Sequence, residues 1–119
     1  MEKTMEIRAD IRKENNVVLI TIREKEINHN NAASFKEKLF LEIAEGRNQI
    51  ILNLNEVDQM DTSGLGVLTF GKRQVNSTGG NIVLVGVNPA IQSLLKIAQL
   101  TRVFDIFDTN EEAIESFQA

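Results

Sequence analysis

The sequence predicts one α/β domain, with a mixed and mostly parallel sheet of about five strands and with four helices. Short β-branched apolar runs alternate with segments in which apolar residues recur every three or four positions. Only Asn15 and Asn16 separate the first two runs, which therefore form an antiparallel hairpin, whereas helices separate the later runs, which therefore lie parallel. The length of 119 residues fits a single domain over 1–119.

The first half of the chain predicts two strands, a helix and a third strand. Residues 5–11 alternate apolar and charged side chains, as in a half-exposed strand, and residues 17–22 form the apolar run of a buried strand. Residues 28–31 offer several helix N-caps, and Gly46 is a C-terminal cap. Residues 50–54 are the third strand. The helix has an apolar stripe and a charged remainder, which are Ala32, Phe35, Leu39 and Ile43, and Lys36, Glu37, Lys38 and Glu42.

The second half predicts three further helices and two further strands. A helix over 62–76 is followed by a strand over 82–87, and Asn88 with Pro89 then opens the third helix. Residues 103–107 form a short fifth strand. Thr109 and Glu112 make a capping box for the last helix. The resulting order is β-β-α-β-α-β-α-β-α, which is one mixed sheet with helices in the crossovers.

Composition limits the classes of function. The 13 basic residues are scattered, the net charge is −4, and Trp and Tyr are absent, so we expect no nucleic-acid binding. Without cysteine and with His29 as the one histidine, we expect no metal site and no thiol chemistry. No apolar run approaches the ~20 residues of a transmembrane helix, and residues 1–10 contain no apolar signal segment. A cytoplasmic protein without membrane insertion is expected.

The most distinctive run in the chain is Asp61-Thr62-Ser63-Gly64-Leu65-Gly66, here called the 61–66 segment. It lies where a turn enters a helix, at the edge of the sheet where ligand sites of α/β folds gather. The free amides and the dipole of a helix start favour an anion. A phosphate on Thr62 or Ser63 would place ~1.5 to 2 negative charges there. Gly64 and Gly66 would let another backbone approach closely.

Simpler interpretations of this segment remain open. Its polar residues could serve only as helix caps. The three glycines of the helix, Gly64, Gly66 and Gly71, each cost ~1 kcal/mol relative to alanine, so either tight packing or a docking partner must compensate.

Known catalytic and nucleotide-binding motifs do not fit the segment. It lacks the third glycine of a dinucleotide fingerprint, the Gly-Lys-Ser/Thr ending of a P-loop and the Gly-x-Ser-x-Gly of a hydrolase elbow. Ser63 interrupts the Asp-Thr-Gly of an aspartic protease, and His29 fits a surface or capping position. We therefore expect no catalytic residues, no cofactor and no enzymatic activity.

A longer run around this segment carries a family resemblance, and it reads Met60-Asp61-Thr62-Ser63-Gly64-Leu65-Gly66-Val67. It resembles the signature of the STAS domain, especially that of the bacterial anti-sigma factor antagonists. Residues 50–54 resemble the strand before this signature, residues 79–85 the strand after it, and residues 88–91 and 100–104 the third helix and the turn that follows. The resemblance implies a STAS fold over essentially the whole chain.

The resemblance also implies a mechanism. An anti-sigma factor that is a serine/threonine kinase binds the unphosphorylated antagonist and releases its sigma factor. Phosphorylation of the hydroxyl after the aspartate, here Thr62 with Ser63 as the alternative, ends that binding, and a phosphatase restores it. The implied partner surface consists of Asn28 and the 61–66 segment, on a monomer or weak homodimer. Threonine stands here where the family usually has serine, and Asn28 where it tends to have aspartate.

Two other functions are compatible with the same residues. A STAS accessory subunit, such as a stressosome or lipid-transport component, would act by constitutive protein contact without turnover of phosphate. A nucleotide- or anion-binding domain would use the same helix N-terminus.

Overall fold

The computed structural model describes residues 5–118. Within this range, seven strands and four helices follow one another in the order β1 Ala9–Glu14, β2 Val17–Ile22, β3 Glu26–Ile27, α1 Ala32–Ala44, β4 Gln49–Asn53, β5 Gln59–Met60, α2 Thr62–Asn76, β6 Asn81–Val85, α3 Pro89–Ile97, β7 Ile106–Phe107 and α4 Asn110–Gln118. None of these helices is long and apolar enough to cross a bilayer.

The central sheet has five strands in the order β1-β2-β4-β6-β7. β1 pairs antiparallel with β2 through the tight turn at Asn15 and Asn16, where Asn15 adopts a φ of 59°. The other neighbouring strands pair parallel, each through a helical crossover. The predicted mixed, mostly parallel sheet of five strands with four helices is confirmed.

Helices cover both faces of this sheet. On one face, α1, α2 and α3 contribute to the main core with residues such as Phe35, Leu68 and Ile91, against Ile20 and Leu52 of the sheet. The opposite face carries a smaller apolar cluster, which packs under Ala113 of α4. The apolar runs of β2, β4 and β6 are therefore nearly continuous because both of their faces are buried.

Three predicted strands are shorter than the sequence pattern indicates, and one of them is β6, which ends at Val85 rather than at residue 87. The first begins at Ala9 rather than at residue 5, because the backbone of Ile7 donates to the Ser34 hydroxyl of α1, at 2.9 Å, and leaves the sheet. The last comprises only Ile106–Phe107, because residues 101–104 form turns that bury Phe104 against the core.

One charged side chain departs from its predicted exposure. Glu42 was expected on the solvated face of α1, but it is buried with 9% of its surface exposed. Its carboxylate lies 3.6 Å from the Arg47 guanidinium. The turn after α1, closed by Gly46 at a φ of +92°, brings Arg47 back over the helix, so a local ion pair accompanies the burial of Glu42.

Candidate functional site

A second, two-stranded sheet positions the candidate site, and the sequence pattern did not predict it. β3 and β5 pair parallel, with Ile27 opposite Met60. Asn28 and Asp61 directly follow these two residues, so they lie at the same end of the pair. The Asp61 amide donates to the Ile27 carbonyl at 3.1 Å, which continues the pairing by one residue. Asn28 and the start of the 61–66 segment, far apart in sequence, are thereby brought together.

Asp61 is the N-cap of α2. Its Oδ1 accepts from the amides of Ser63 at 2.8 Å and Gly64 at 3.3 Å. Its Oδ2 accepts from the amide of His29 at 3.1 Å. Both carboxylate oxygens thus accept from backbone amides: Oδ1 from amides of the helix, and Oδ2 from an amide of the loop before α1. Asp61 therefore fixes the start of α2 to that loop.

The loop that carries Asn28 is held by its own side chains. The Asn28 amide donates to Asn31 Oδ1 at 2.9 Å, and Asn28 Oδ1 accepts from the Asn30 amide at 2.8 Å. Asn31 is buried and donates through Nδ2 to the Glu26 carbonyl at 2.8 Å. Asn31 is the N-cap of α1 by backbone position, with its side chain turned to this loop instead of the helix amides. The half-buried Asn28 is therefore rigidly placed beside Asp61.

The two hydroxyls of the segment differ in exposure. Thr62, the first residue of α2, is exposed, whereas Ser63 is half-buried and Leu65 is buried. Thr62 is thus the more accessible of the two residues. Because the first helical turn favours negative charge, a phosphate on Thr62 would not disrupt the helix that carries it.

The three glycines of α2 have two separate structural roles. A Cβ on Gly64 would lie 2.4 Å from Met60 Cγ, and one on Gly71 would lie 2.6 Å from a methyl of Leu39 and 2.7 Å from a methyl of Ile82. Packing within the domain therefore explains Gly64 and Gly71. Gly66 is exposed, and apart from its chain neighbours and the backbone of its own helix, no atom lies within 4 Å of the position that its Cβ would take. Because Gly66 has no side chain, the backbone of the helix is uncovered at this position, and the helix surface is flat there.

An aromatic groove lies on the same side of α2 as Gly66. Phe70 follows Gly66 by four residues, one turn further along the helix. Its ring lies 6.3 Å from that of Phe40 on α1, centroid to centroid, and Lys36 Nζ lies 4.5 Å from the Phe70 centroid. With Ala33, these side chains line a shallow groove of about 390 Å³. Phe40 is 48% exposed, so about half of its surface is open to solvent at this groove.

Sequence reasoning did not single out Phe40 or Phe70. A signal was present in α1, where Phe40 directly follows the core residue Leu39 and so lies off the apolar stripe. Such a residue indicates a contact surface only where it forms a patch with apolar neighbours, and here Phe70 of α2 is that neighbour.

The site offers no set of metal ligands. In the stretch from residue 5 to residue 118, no three His, Cys, Asp or Glu side chains group together as metal ligands. His29 Nδ1 lies 3.9 Å from Asp61 Oδ2, and the imidazole is 77% exposed, so this is a surface pair of two residues.

Replacement of Asp61 separates its role as a cap from its charge. We expect Asp61→Ala to lower the free energy of unfolding by about 1–2 kcal/mol, since the amides of Ser63 and Gly64 lose their acceptor. Asp61→Asn keeps an oxygen acceptor for these two amides but places its NH2 group against the His29 amide, so it is expected to lose less than Asp61→Ala does. Urea unfolding followed by circular dichroism measures both variants, and equal losses would show that the bond to His29 or the carboxylate charge, not the cap, stabilises this helix start.

The comparisons with known proteins concern the family and the fold of the chain. The family model described as "STAS domain" matches residues 8–113. An anti-sigma factor antagonist homologue of Thermotoga neapolitana is 38% identical over 102 residues, which cover 85% of this chain and 90% of that protein. The crystal structure of an anti-sigma factor antagonist from Thermotoga maritima superposes with a TM-score of 0.85 at 30% identity, over 93% of this chain and 95% of that one.

A more distant structural likeness concerns SpoIIAA, an anti-sigma factor antagonist and Bacillus cell fate determinant that is known in an unphosphorylated and a phosphorylated form. The unphosphorylated form has a TM-score of 0.74 and 22% identity, and the match covers 95% of this chain and 98% of that one. At this identity the likeness concerns the fold alone. Because the family model matches residues 8–113 and a relative is 38% identical over most of both chains, the chain belongs to the STAS domain family.

Proposed function

We propose that this protein is an anti-sigma factor antagonist whose binding to an anti-sigma factor kinase is controlled by phosphorylation of Thr62. In the unphosphorylated state it binds the kinase and releases the sigma factor, and a phosphatase reverses the modification. The cytoplasm is the compartment where such an exchange takes place. The relatives named as anti-sigma factor antagonists support the general role.

The observation that carries the proposal is the position of Thr62. It is the exposed first residue of a helix whose N-terminus is fixed by Asp61 to the Asn28 loop. A kinase can reach this hydroxyl while the backbone around it stays rigid. Gly66, one turn later on the same side of α2, lets a partner lie flat against the helix next to that hydroxyl.

The physical effect of the modification follows from this placement. A phosphate adds ~1.5 to 2 negative charges and three acceptor oxygens. At an unbound helix start this charge is solvated and favoured by the dipole. Under a docked protein the same charge would be desolvated, so the phosphorylated form loses affinity while its fold is retained.

Phosphate mapping tests the modification directly. The protein is incubated with ATP and the serine/threonine kinase encoded beside it or beside a sigma factor gene, and the modified peptide is sequenced by mass spectrometry. We expect one phosphate on Thr62, retained in Ser63→Ala and lost in Thr62→Ala. Phosphate on Ser63 alone would move the site by one residue, and a kinase that neither modifies nor binds the protein would contradict the proposal.

The aromatic groove is expected to contribute to kinase binding. Phe40→Ala and Phe70→Ala should each weaken binding by about tenfold, since exposed aromatic residues at the centre of an interface commonly contribute ~1–2 kcal/mol. Leu41→Ala is the matched control, because Leu41 also lies on α1 and is 52% exposed but does not line the groove. Calorimetric titration with the kinase measures all three. Normal binding by both phenylalanine variants would place the groove outside the interface and leave the role of Thr62 intact.

A further inference from the structure

The outer edge of the central sheet is a strand with charged, exposed side chains. β1 is the first strand in the sheet order, and its burial pattern is exposed at every position except Ala9. Within residues 5–118, β2 is its only strand neighbour. The backbone N–H and C=O groups on the far side of β1 are therefore available for pairing with another strand.

The hydrogen-bond pattern of the hairpin shows which groups point outward. The Arg23 amide donates to the Arg8 carbonyl at 2.8 Å, so these two residues face each other with their polar groups turned inward. In an antiparallel pair, the backbone N–H and C=O groups of successive residues point alternately toward and away from the partner strand. The even-numbered residues of β1 thus bind β2, and the backbone groups of Ala9, Ile11 and Lys13 point away from the sheet.

The side chains of this strand alternate in sign. Arg8, which directly precedes β1, shares one face of the sheet with Asp10, Arg12 and Glu14, and the four are positive, negative, positive and negative in order. Within the chain, Arg8 also pairs with Glu24, and Asp10 pairs with Arg23. On the other face, Ile11 is 39% exposed, a large apolar side chain at the middle of the strand.

We infer that β1 is a homodimer interface, in which the β1 strands of two copies pair antiparallel about a two-fold axis at Ile11. In this register Asp10 lies opposite Arg12 of the second copy and Arg8 lies opposite Glu14 of the second copy. All four charged positions thus meet the opposite sign, and the two Ile11 side chains meet each other on the other face. The backbone groups of Ala9, Ile11 and Lys13 supply the hydrogen bonds, and the sheet becomes a continuous ten-stranded one.

Charge on an edge strand is also a common protection against pairing. Protection requires only that another copy of the strand be repelled. Side chains that all carry the same charge would repel it in every register. The alternating signs of β1 repel a parallel, in-register copy but attract an antiparallel copy centred on Ile11. Among the antiparallel registers of two copies of this chain, the one centred on Ile11 pairs all four of these charges with the opposite sign, and this argument does not depend on the proposed function.

Two variants test this arrangement in complementary ways. Arg12→Asp places two carboxylates opposite each other in the homodimer, and Arg12 has no ion-pair partner within residues 5–118. Asp10→Arg places two guanidinium groups opposite each other, and it also removes the ion pair of Asp10 with Arg23 within the hairpin, so its folding is compared with that of the unmodified chain. Each variant alone is expected to raise the dimer dissociation constant at least about tenfold. Mixed together they form a heterodimer in which every pair is again of opposite sign.

The measurement is sedimentation velocity from micromolar to millimolar concentration, with circular dichroism as the control for folding. We expect a weak dimer for the unmodified chain, mostly monomer for each variant, and a heterodimer at wild-type affinity for the equimolar mixture. A mixture that stays monomeric would overturn the inference, as would a wild-type chain that is monomeric at millimolar concentration.

A backbone variant removes the dependence on charge. Ile11→Pro deletes an outward-pointing N–H and leaves the hydrogen bonds to β2 in place, a position that an edge strand tolerates. We expect this variant to keep the far-ultraviolet spectrum of the fold and to lose the dimer. A dimer that persists unchanged in folded Ile11→Pro would place the contact on another surface and overturn the inference.

Discussion

Thr62→Glu is expected to weaken kinase binding by at least about 100-fold, which corresponds to roughly 3 kcal/mol. The carboxylate would lie on the first residue of α2, under the docked partner, where it must be desolvated without a compensating charge. Glutamate carries one negative charge and phosphate ~1.5 to 2, so the effect of the true modification should be larger. Calorimetric titration of the kinase with each protein measures the loss.

The same substitution should leave the domain folded, which separates a docking effect from a folding effect. Acidic residues in the first turn of a helix are favourable, by about 0.3–1 kcal/mol, and Thr62 is exposed. Thr62→Ala is the matched control, since it removes the hydroxyl without adding charge and should retain most of the affinity. Equal affinity of Thr62→Glu and the unmodified protein would support the alternative of a STAS subunit that acts by constitutive contact.

Gly71→Ala is expected to lower the free energy of unfolding by about 1–3 kcal/mol, as overpacking of a filled core does. The added methyl would lie 2.6 Å from Leu39 and 2.7 Å from Ile82, and both of these side chains are fully buried. Both contacts are with terminal methyls, so these two buried side chains must rotate or shift within the core to admit the added methyl. The gain of ~1 kcal/mol from the better helix propensity of alanine is included in this net loss.

Gly66→Ala, in the same helix, should have the opposite effect on stability. Its Cβ would lie in open space, so only the helix propensity changes and the domain should gain about 1 kcal/mol. Urea unfolding of the two variants measures both effects. We also expect Gly66→Ala to weaken kinase binding, because the methyl projects from the flat point between Thr62 and Phe70. A stabilised variant with normal binding would show that the partner does not lie over Gly66.

Much of the fold could be predicted because each long element has a strong local signal. The Asn15-Asn16 turn separates two β-branched runs, and the structure has the hairpin there. The helix over 62–76 has the predicted bounds, and Asp61 is the one of its polar candidates that caps it. These signals are local, and packing in the core does not override them.

The short parallel pair of β3 and β5 could not be predicted in this way. Each strand has two residues, Glu26–Ile27 and Gln59–Met60, and two residues carry no periodicity. The pair nevertheless decides the geometry of the candidate site, because it places Asn28 beside Asp61. Sequence reasoning grouped these two residues only through the family resemblance, and the backbone pairing now provides the physical reason for their proximity.

The surface of α1 was also beyond local prediction. Helical periodicity assigned Glu42 to solvent, and tertiary contact with the segment after Gly46 buried it instead. Phe40 had no assigned role until the Phe70 ring of α2 was found beside it. In both cases a residue outside the helix decides the environment, so a pattern within α1 alone does not contain the information.

Displacement of the sigma factor tests the central claim most directly. The complex of the anti-sigma factor kinase with its fluorescently labelled sigma factor is titrated with this protein, and fluorescence anisotropy reports the release. We expect stoichiometric release by the unphosphorylated protein and none by the protein carrying phosphate on Thr62. A sigma factor that stays bound at large excess of the unphosphorylated protein would contradict the assignment of an anti-sigma factor antagonist.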